Sequence, residues 1–264
     1  MTSTHEAETP FVVIETPSDG VTLVRLNRPE ALNAMSRELM GELIGVLEEI
    51  DMSRQARVVV IAGDDRAFAA GADLKAMRNF SLEDVLKHEA SRFWMRLAAL
   101  EVPLIAAVSG YALGGGCELA LACDMIVAAR TAVFSQAEIT VGIVPGGGGT
   151  QRLARTIGKH RAMELVMTGR QITAIEAREF GFVNRLAEDG KWLEVALELA
   201  REVASRPPIA TLLAKRAVLG AEEASLTAAM SFERRLYEIA MATEDRVEGM
   251  SAFVERRAPA WRGR

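Results

Sequence analysis

Two glutamates sit where a carboxylate is costly. Glu118 follows three glycines in YALGGGCELALACD (residues 111–124) and leads into Leu119, Ala120, Leu121 and Ala122. Glu138 lies between apolar residues in SQAEITVGIVPGGGG (135–149), just ahead of a second glycine run. An ionised carboxylate in apolar surroundings is expensive unless something pairs with it or uses it. Two glutamates in such settings can have different pKa values and divide acid and base roles around one substrate. The competing reading is a helix-start Glu118 favoured by the helix dipole and a solvated loop Glu138. Their separation in sequence imposes no geometry, so both readings stand at this level.

The glycines narrow the chemistry. GIVPGGGGTQR (142–152) lacks the Lys and Ser/Thr that must follow the last glycine of a phosphate loop, because Thr150 comes directly after Gly149. LGGGCELA has Leu119 where the third glycine of a dinucleotide fingerprint belongs. What both runs offer is bare backbone N–H groups at a helix start, able to approach a ligand closely or to hold an oxyanion. Other apparatus is scarce. His5, His88 and His160 have no metal or nucleophile partner at recognisable spacing and read as surface histidines. Ser109 in AVSGY is outside any nucleophile elbow. Cys117 at a helix start is open to a lowered pKa, but with no base at hand it reads as a small packing residue.

The elements that must position these groups alternate between strands and helices. FVVIET (11–16) and VTLVRL (21–26) flank a PSDG turn and predict a hairpin. SRELMGELIGVLEEI carries Leu39, Met40, Leu43, Ile44, Leu47 and Ile50 at helical spacing, and VVVIAG (58–63) reads as a strand buried on both faces. A helix begins at Ser81, followed by the apolar LIAAVSG, the glycine run with its helix, and the strand-like MIVAA (125–129). This alternation argues for an α/β layer architecture. From Thr150 the signals turn helical: TQRLARTIG, HRAMELVMTG, and TAIEAREFG with a capping box at Thr173 and Glu176. After FVNRL, helices are expected near 190–205, 208–219, 223–241 and 243–257, the first two parted by Pro207 and Pro208. The reading is a catalytic core over 1–195 and a helical C-terminal region over 196–264.

Composition excludes several classes. The 264 residues are half hydrophobic, and the net charge of −5, with acids and bases interleaved, supplies neither a basic footprint for nucleic acid nor a polybasic membrane patch. The longest apolar runs are broken by glycine and too short to span a bilayer. MTSTHEAETP lacks the basic and then apolar pattern of a secretory signal, and Cys117 and Cys123 in one buried-looking segment make a poor disulfide framework. A cytoplasmic protein is expected.

Three stretches in order, AFAAGADLKAM (67–77), IAAVSGYALGGGCELALACD (105–124) and FSQAEITVGIVPGGGGTQRL (134–153), resemble the crotonase superfamily and look most like enoyl-CoA hydratases. The resemblance extends to NRPEALNA near the start and EGMSAFVERR near the end. It implies a spiral of ββα units with a helical C-terminal region that builds a trimer, two trimers forming a hexamer. It implies an acyl-CoA substrate and no metal or redox cofactor. The thioester oxygen would accept from the backbone N–H groups of Ala72 and Gly115. Ala72, Asp73, Leu74 and Lys75 would run along the CoA, with Met77 and Trp94 lining the acyl pocket. Glu118 would assist attack of water on C3 and Glu138 would deliver a proton to C2, giving a 3-hydroxyacyl-CoA.

Alternatives remain. An enoyl-CoA isomerase commonly keeps a carboxylate only at the Glu138-like position, so both glutamates favour hydration. Straight-chain, branched and aromatic-degradation acyl groups all fit the motifs. Some hydratase-like proteins bind RNA, but the helix near 81–100 mixes Lys87, Arg92 and Arg96 with Glu83, Asp84 and Glu89, a poor basic face. Gly147 stands where the family frequently has Ala or Ser and looks tolerable, and Trp261 stands where Phe is usual. Arg28, Arg66 and Arg256 are candidates for the CoA phosphates.

Overall fold

In a computed structural model, which describes residues 10–87 and 90–264, the chain opens with the expected hairpin. β1 (Val12–Ser18) and β2 (Val21–Leu26) pair antiparallel, with Ser18 opposite Val21 across the turn. The first long helix, α1 (Arg37–Ser53), is capped by Ser36, whose hydroxyl accepts from the Leu39 N–H at 3.3 Å. It buries Leu39, Met40, Leu43, Ile44 and Leu47, the face that the helical spacing marks out. β3 (Val58–Ala62) lies parallel to β2 with all five residues buried, as a continuous apolar run requires in a sheet covered on both faces.

From β3 onward each turn of the chain repeats one plan. A strand joins a first sheet, a short strand joins a second, and helical segments return the chain. β3 is followed by β4 (Ala67–Ala69), α2 (Leu74–Met77), α3 (Leu82–Lys87) and α4 (Ala90–Ala98). Next come β5 (Leu104–Val108), β6 (Tyr111–Leu113) and α5 (Gly115–Ala122). The third turn is β7 (Met125–Ala129), β8 (Val133–Ser135), a 3-10 turn (Ala137–Val141), α6 (Gly149–Ile157) and α7 (Lys159–Thr168). β9 (Ile172–Thr173), α8 (Ala174–Phe180) and β10 (Arg185–Ala187) close the series. The first sheet runs β1-β2-β3-β5-β7-β10 and the second β4-β6-β8-β9. Strand order follows chain order from β2 to β7 and from β4 to β9, so the backbone advances as a spiral of ββα units.

Local chemistry fixes the ends. At Ser81 the hydroxyl accepts from the Asp84 N–H and the Asp84 carboxylate accepts from the Ser81 N–H, a reciprocal cap at the start of α3. Thr173 caps α8 through the Glu176 N–H, while the Glu176 carboxylate is held by Arg170 at 2.7 Å.

The C-terminal region begins with α9 (Trp192–Ala204), which spans the expected boundary at 195/196 and packs on the first sheet. Its Trp192 Nε1 donates to Asp65 at 2.8 Å. Pro207 and Pro208 part it from α10 (Pro208–Glu223), after which come α11 (Leu226–Met241) and α12 (Glu244–Glu255). These last helices bury few side chains within the chain: Leu226, Phe253 and Val254 are each more than three-quarters exposed. The tail folds back onto α12, where buried Asp245 accepts the Arg262 and Gly263 N–H groups at 2.7 and 2.9 Å. Trp261 donates to the Ser205 carbonyl and packs over Gly249. Among the described residues, no helix is long and apolar enough to cross a membrane.

Candidate active site

The first glycine run is a passage between two backbones. Gly114 turns from β6 into α5 with φ +48° and ψ −122°, a conformation that L side chains rarely adopt. At Gly116 a Cβ would lie 2.0 Å from the Ala69 carbonyl, so only glycine lets α5 settle against β4. Gly115 is the first helical residue, and its N–H is among those with no intrahelical acceptor. A Cβ at Gly115 would stand 3.7 Å from the Ala72 nitrogen, so the two backbone segments lie side by side here. Met35 pairs with the residues on either side of Ala72, its N–H donating to Gly71 at 2.7 Å and its carbonyl accepting from Asp73 at 3.4 Å. The Ala72 N–H is left outside that pairing. Backbone N–H groups without a chain partner beside the positive end of a helix are the kind of donor that an oxyanion can use.

Glu118 lies one turn further along α5 and is 3% exposed. Its Oε1 accepts from the Gly147 and Gly149 N–H groups at 2.7 and 2.8 Å. The second glycine run therefore holds the protein's own carboxylate, whereas its sequence suggested a free ligand site. Arg152 anchors the same loop by donating to the Gly147 carbonyl at 2.7 Å. Burial raises the Glu118 pKa, and the amides of Gly149 and Gly147 with the charge of Arg152 work against that rise.

Glu138 is not the solvated loop residue of the competing reading. It sits half-buried on the 3-10 turn after β8, and its Oε2 is buried without a hydrogen-bond partner. Its Oε1 lies 3.1 Å from where a Gly114 Cβ would be, which puts it at the mouth of the glycine passage. Burial, with a smaller contribution from the Glu118 charge, pushes its pKa up to about 7. The fold thus gathers the two glutamates and the backbone of Ala72 and Gly115 in one place.

The other expected residues divide. Trp94 on α4 stands against Gly147 on the side of Glu118. Leu74, Lys75 and Met77 occupy α2 directly after Ala72, with Leu74 and Lys75 exposed and Met77 partly so. Asp73 caps α2 through the Ala76 N–H and pairs with Arg28 at 2.8 Å, which holds its carboxyl below the ordinary range. Arg28 also donates to the Ala34 carbonyl at 3.0 Å. Arg66 and Arg256 are exposed, Arg256 as the left-handed cap of α12. The Cys117 thiol is buried and its pKa is pushed up to about 12, the opposite of an activated nucleophile. Ser109 donates to the Asp65 carbonyl, and His160 is exposed. His5 and His88 lie outside the described residues. Sequence reasoning missed Arg152 and Gln136. Gln136 is buried with its amide packed against Gly149, and no local pattern announces either contact.

Residues 16–264 match the protein family described as enoyl-CoA hydratase/isomerase. A probable enoyl-CoA hydratase of Rhizobium meliloti is 46% identical over 244 residues, 92% of this chain and 95% of its own. A 2,3-dehydroadipyl-CoA hydratase of Escherichia coli is also 46% identical over 244 residues, covering 92% and 96%. The crystal structure of an enoyl-CoA hydratase from Bacillus anthracis superposes with a TM-score of 0.93 at 39% identity, over 96% of this chain and 100% of that one.

Proposed function

Because the chain belongs to the enoyl-CoA hydratase/isomerase family, we propose that it adds water across the double bond of a 2-trans-enoyl-CoA to give a 3-hydroxyacyl-CoA. The thioester oxygen accepts from the Ala72 and Gly115 N–H groups, which draws electron density from the double bond and leaves C3 electrophilic. Removing one such donor typically costs about 3 to 4 kcal/mol of transition-state stabilisation. Glu118 takes a proton from a water molecule as its oxygen bonds to C3. Glu138 gives a proton to C2, and proton exchange with solvent resets the pair. No metal or redox group takes part in these steps.

The observation that carries this reading is the unequal treatment of the two carboxylates. Glu138, with its pKa raised to about 7 and an unpartnered buried oxygen, is suited to carry a proton at neutral pH. Glu118 is suited to stay aligned through its two amide donors. A double-bond shift needs only proton transfers, and a second carboxylate fixed by two N–H groups has its best use in holding water. The acyl tail is open, since equal likeness extends to relatives named for a general and for a dicarboxylic enoyl-CoA. The exposed apolar side chains of α11 and α12 support assembly as a trimer or a dimer of trimers, and two buried free thiols suit a reducing compartment such as the cytoplasm.

The test is the loss of conjugated enoyl-thioester absorbance when crotonyl-CoA meets the protein. Glu118→Gln and Glu138→Gln should each slow turnover by roughly 10²-fold to 10⁴-fold. A parent that turns over while either variant keeps pace removes that glutamate from the mechanism.

A further inference from the structure

Gly147 joins two groups that face each other across a missing side chain. Its N–H donates to Glu118 Oε1 and its carbonyl accepts from Arg152, so its backbone is held on both sides. A Cβ built there would lie 2.3 Å from Trp94 Cε2, 2.5 Å from Trp94 Cζ2 and 2.8 Å from Glu118 Oε2, closer than real Cβ contacts come. The indole therefore occupies the space that a methyl group would need, and its edge faces the same gap as Oε2. Both amide bonds go to Oε1, so Oε2 is the oxygen that remains for a water molecule. Trp94 is itself braced by an edge-to-face contact with Phe93, at 4.9 Å between ring centroids, and Phe93 is buried in the core. The glycine at 147, where the family frequently has Ala or Ser, is matched in this chain by a rigid ring that fills the place of a side chain.

We propose that Gly147 and Trp94 are a matched pair that determines acyl specificity: bare backbone at 147 lets the indole close beside Glu118 and wall off the C3 side of the site, so that the protein selects enoyl-CoA esters unbranched at C3. This rests on the hydration reading, in which water held by Glu118 adds to C3. C3 must then lie within one water of Oε2, and the indole edge takes the neighbouring volume. A single hydrogen on C3 fits beside the ring, whereas an added methyl group meets it. Pockets discriminate one methyl group by about 10-fold to 200-fold, the range within which a rigid aromatic wall operates.

The experiment compares crotonyl-CoA with 3-methylcrotonyl-CoA by kcat/KM in the parent, Trp94→Leu, Gly147→Ala and the double variant. The parent should prefer crotonyl-CoA by about 10-fold or more. Trp94→Leu removes the ring and should bring the two substrates to within about 3-fold. Gly147→Ala displaces the ring and should shift the ratio the same way, with the double variant going no further than Trp94→Leu alone. A parent indifferent to the methyl group, or a ratio that Trp94→Leu leaves unchanged, overturns the proposal. The same four proteins are titrated with butyryl-CoA and 3-methylbutyryl-CoA, followed by indole fluorescence with calorimetry for the variants lacking Trp94. This arm reads the wall without turnover. A preference for butyryl-CoA that closes in Trp94→Leu supports the pair even if hydration fails, and equal binding by the parent overturns it. If Gly147→Ala does not fold, folding recovered in the double variant supports the interlock, and continued failure overturns it.

Discussion

Glu118 and Glu138 are near enough for one charge to act on the other, yet the protein holds them in opposite ways. Glu118 belongs to α5, and its Oε1 is gripped by two amides that open α6. Glu138 rides on a short 3-10 turn and presents a buried oxygen that nothing in the described residues satisfies. One carboxylate is integrated into the fold and the other is carried by it at a cost. Stability alone would satisfy both oxygens or replace them. The contrast is what an acid–base pair requires, since one member must be aligned and the other must part with a proton.

The largest expected difference is in stability. Glu118→Leu leaves the Gly147 and Gly149 N–H groups buried without an acceptor, a penalty of about 1 to 3 kcal/mol for each. Glu138→Leu instead removes an acceptor that is already unpartnered, so its unfolding free energy should stay level or rise. Denaturant titration of both variants measures the gap. Equal losses would erase the distinction between a structural carboxylate and a poised one.

A smaller effect falls on the passage between them. Gly114→Ala places a side chain at φ +48° and ψ −122°, a sparsely populated backbone region that costs an L residue roughly 1 to 3 kcal/mol, with its methyl against Glu138 Oε1. The loss of kcat should exceed what that destabilisation would produce, because the methyl displaces the proton donor directly. Thermal unfolding alongside steady-state kinetics separates the two, and a variant destabilised but fully active would show that Glu138 tolerates displacement.

Much of this arrangement is legible in the sequence alone. The apolar run 58–62 marks a doubly buried strand, the period of Leu39, Leu43 and Leu47 marks the buried face of α1, and Ser81 and Thr173 are caps that local chemistry specifies. The oddity of Glu118 and Glu138 was also visible, because a lone carboxylate among apolar residues is anomalous wherever it falls. The partners were hidden. That Gly147 and Gly149 grip Glu118 depends on how α6 meets α5, a long-range packing event with no local signature. The same holds for Trp94 filling the space over Gly147, where residues far apart in sequence compete for one methyl-sized volume. By motif alone the two glycine runs are alike, each offering bare N–H groups to a ligand or an oxyanion, and only the tertiary structure shows that one of them faces inward to a side chain.

The subtlest consequence of the contrast is a tilt in stability with pH. An unfolded glutamate titrates near its ordinary 4.5, whereas Glu138 in the folded protein titrates near 7. Between these values the native state binds the proton that the unfolded chain has released, so its stability falls as pH rises through that window and levels off above it. The raised pKa of Glu118 tilts the curve in the same direction, so the share that belongs to Glu138 is the part that Glu138→Gln removes. Urea titrations at intervals from pH 4.5 to 7.5 should show a shallower decline in that variant than in the parent. The parent's kcat/KM should fall above about pH 7 as the donor ionises. The residual activity of Glu138→Gln should lack that limb, because its amide does not ionise there. A basic limb that survives in Glu138→Gln would assign the titration to another group, and Glu118→Gln under the same conditions would show whether that group is its neighbour.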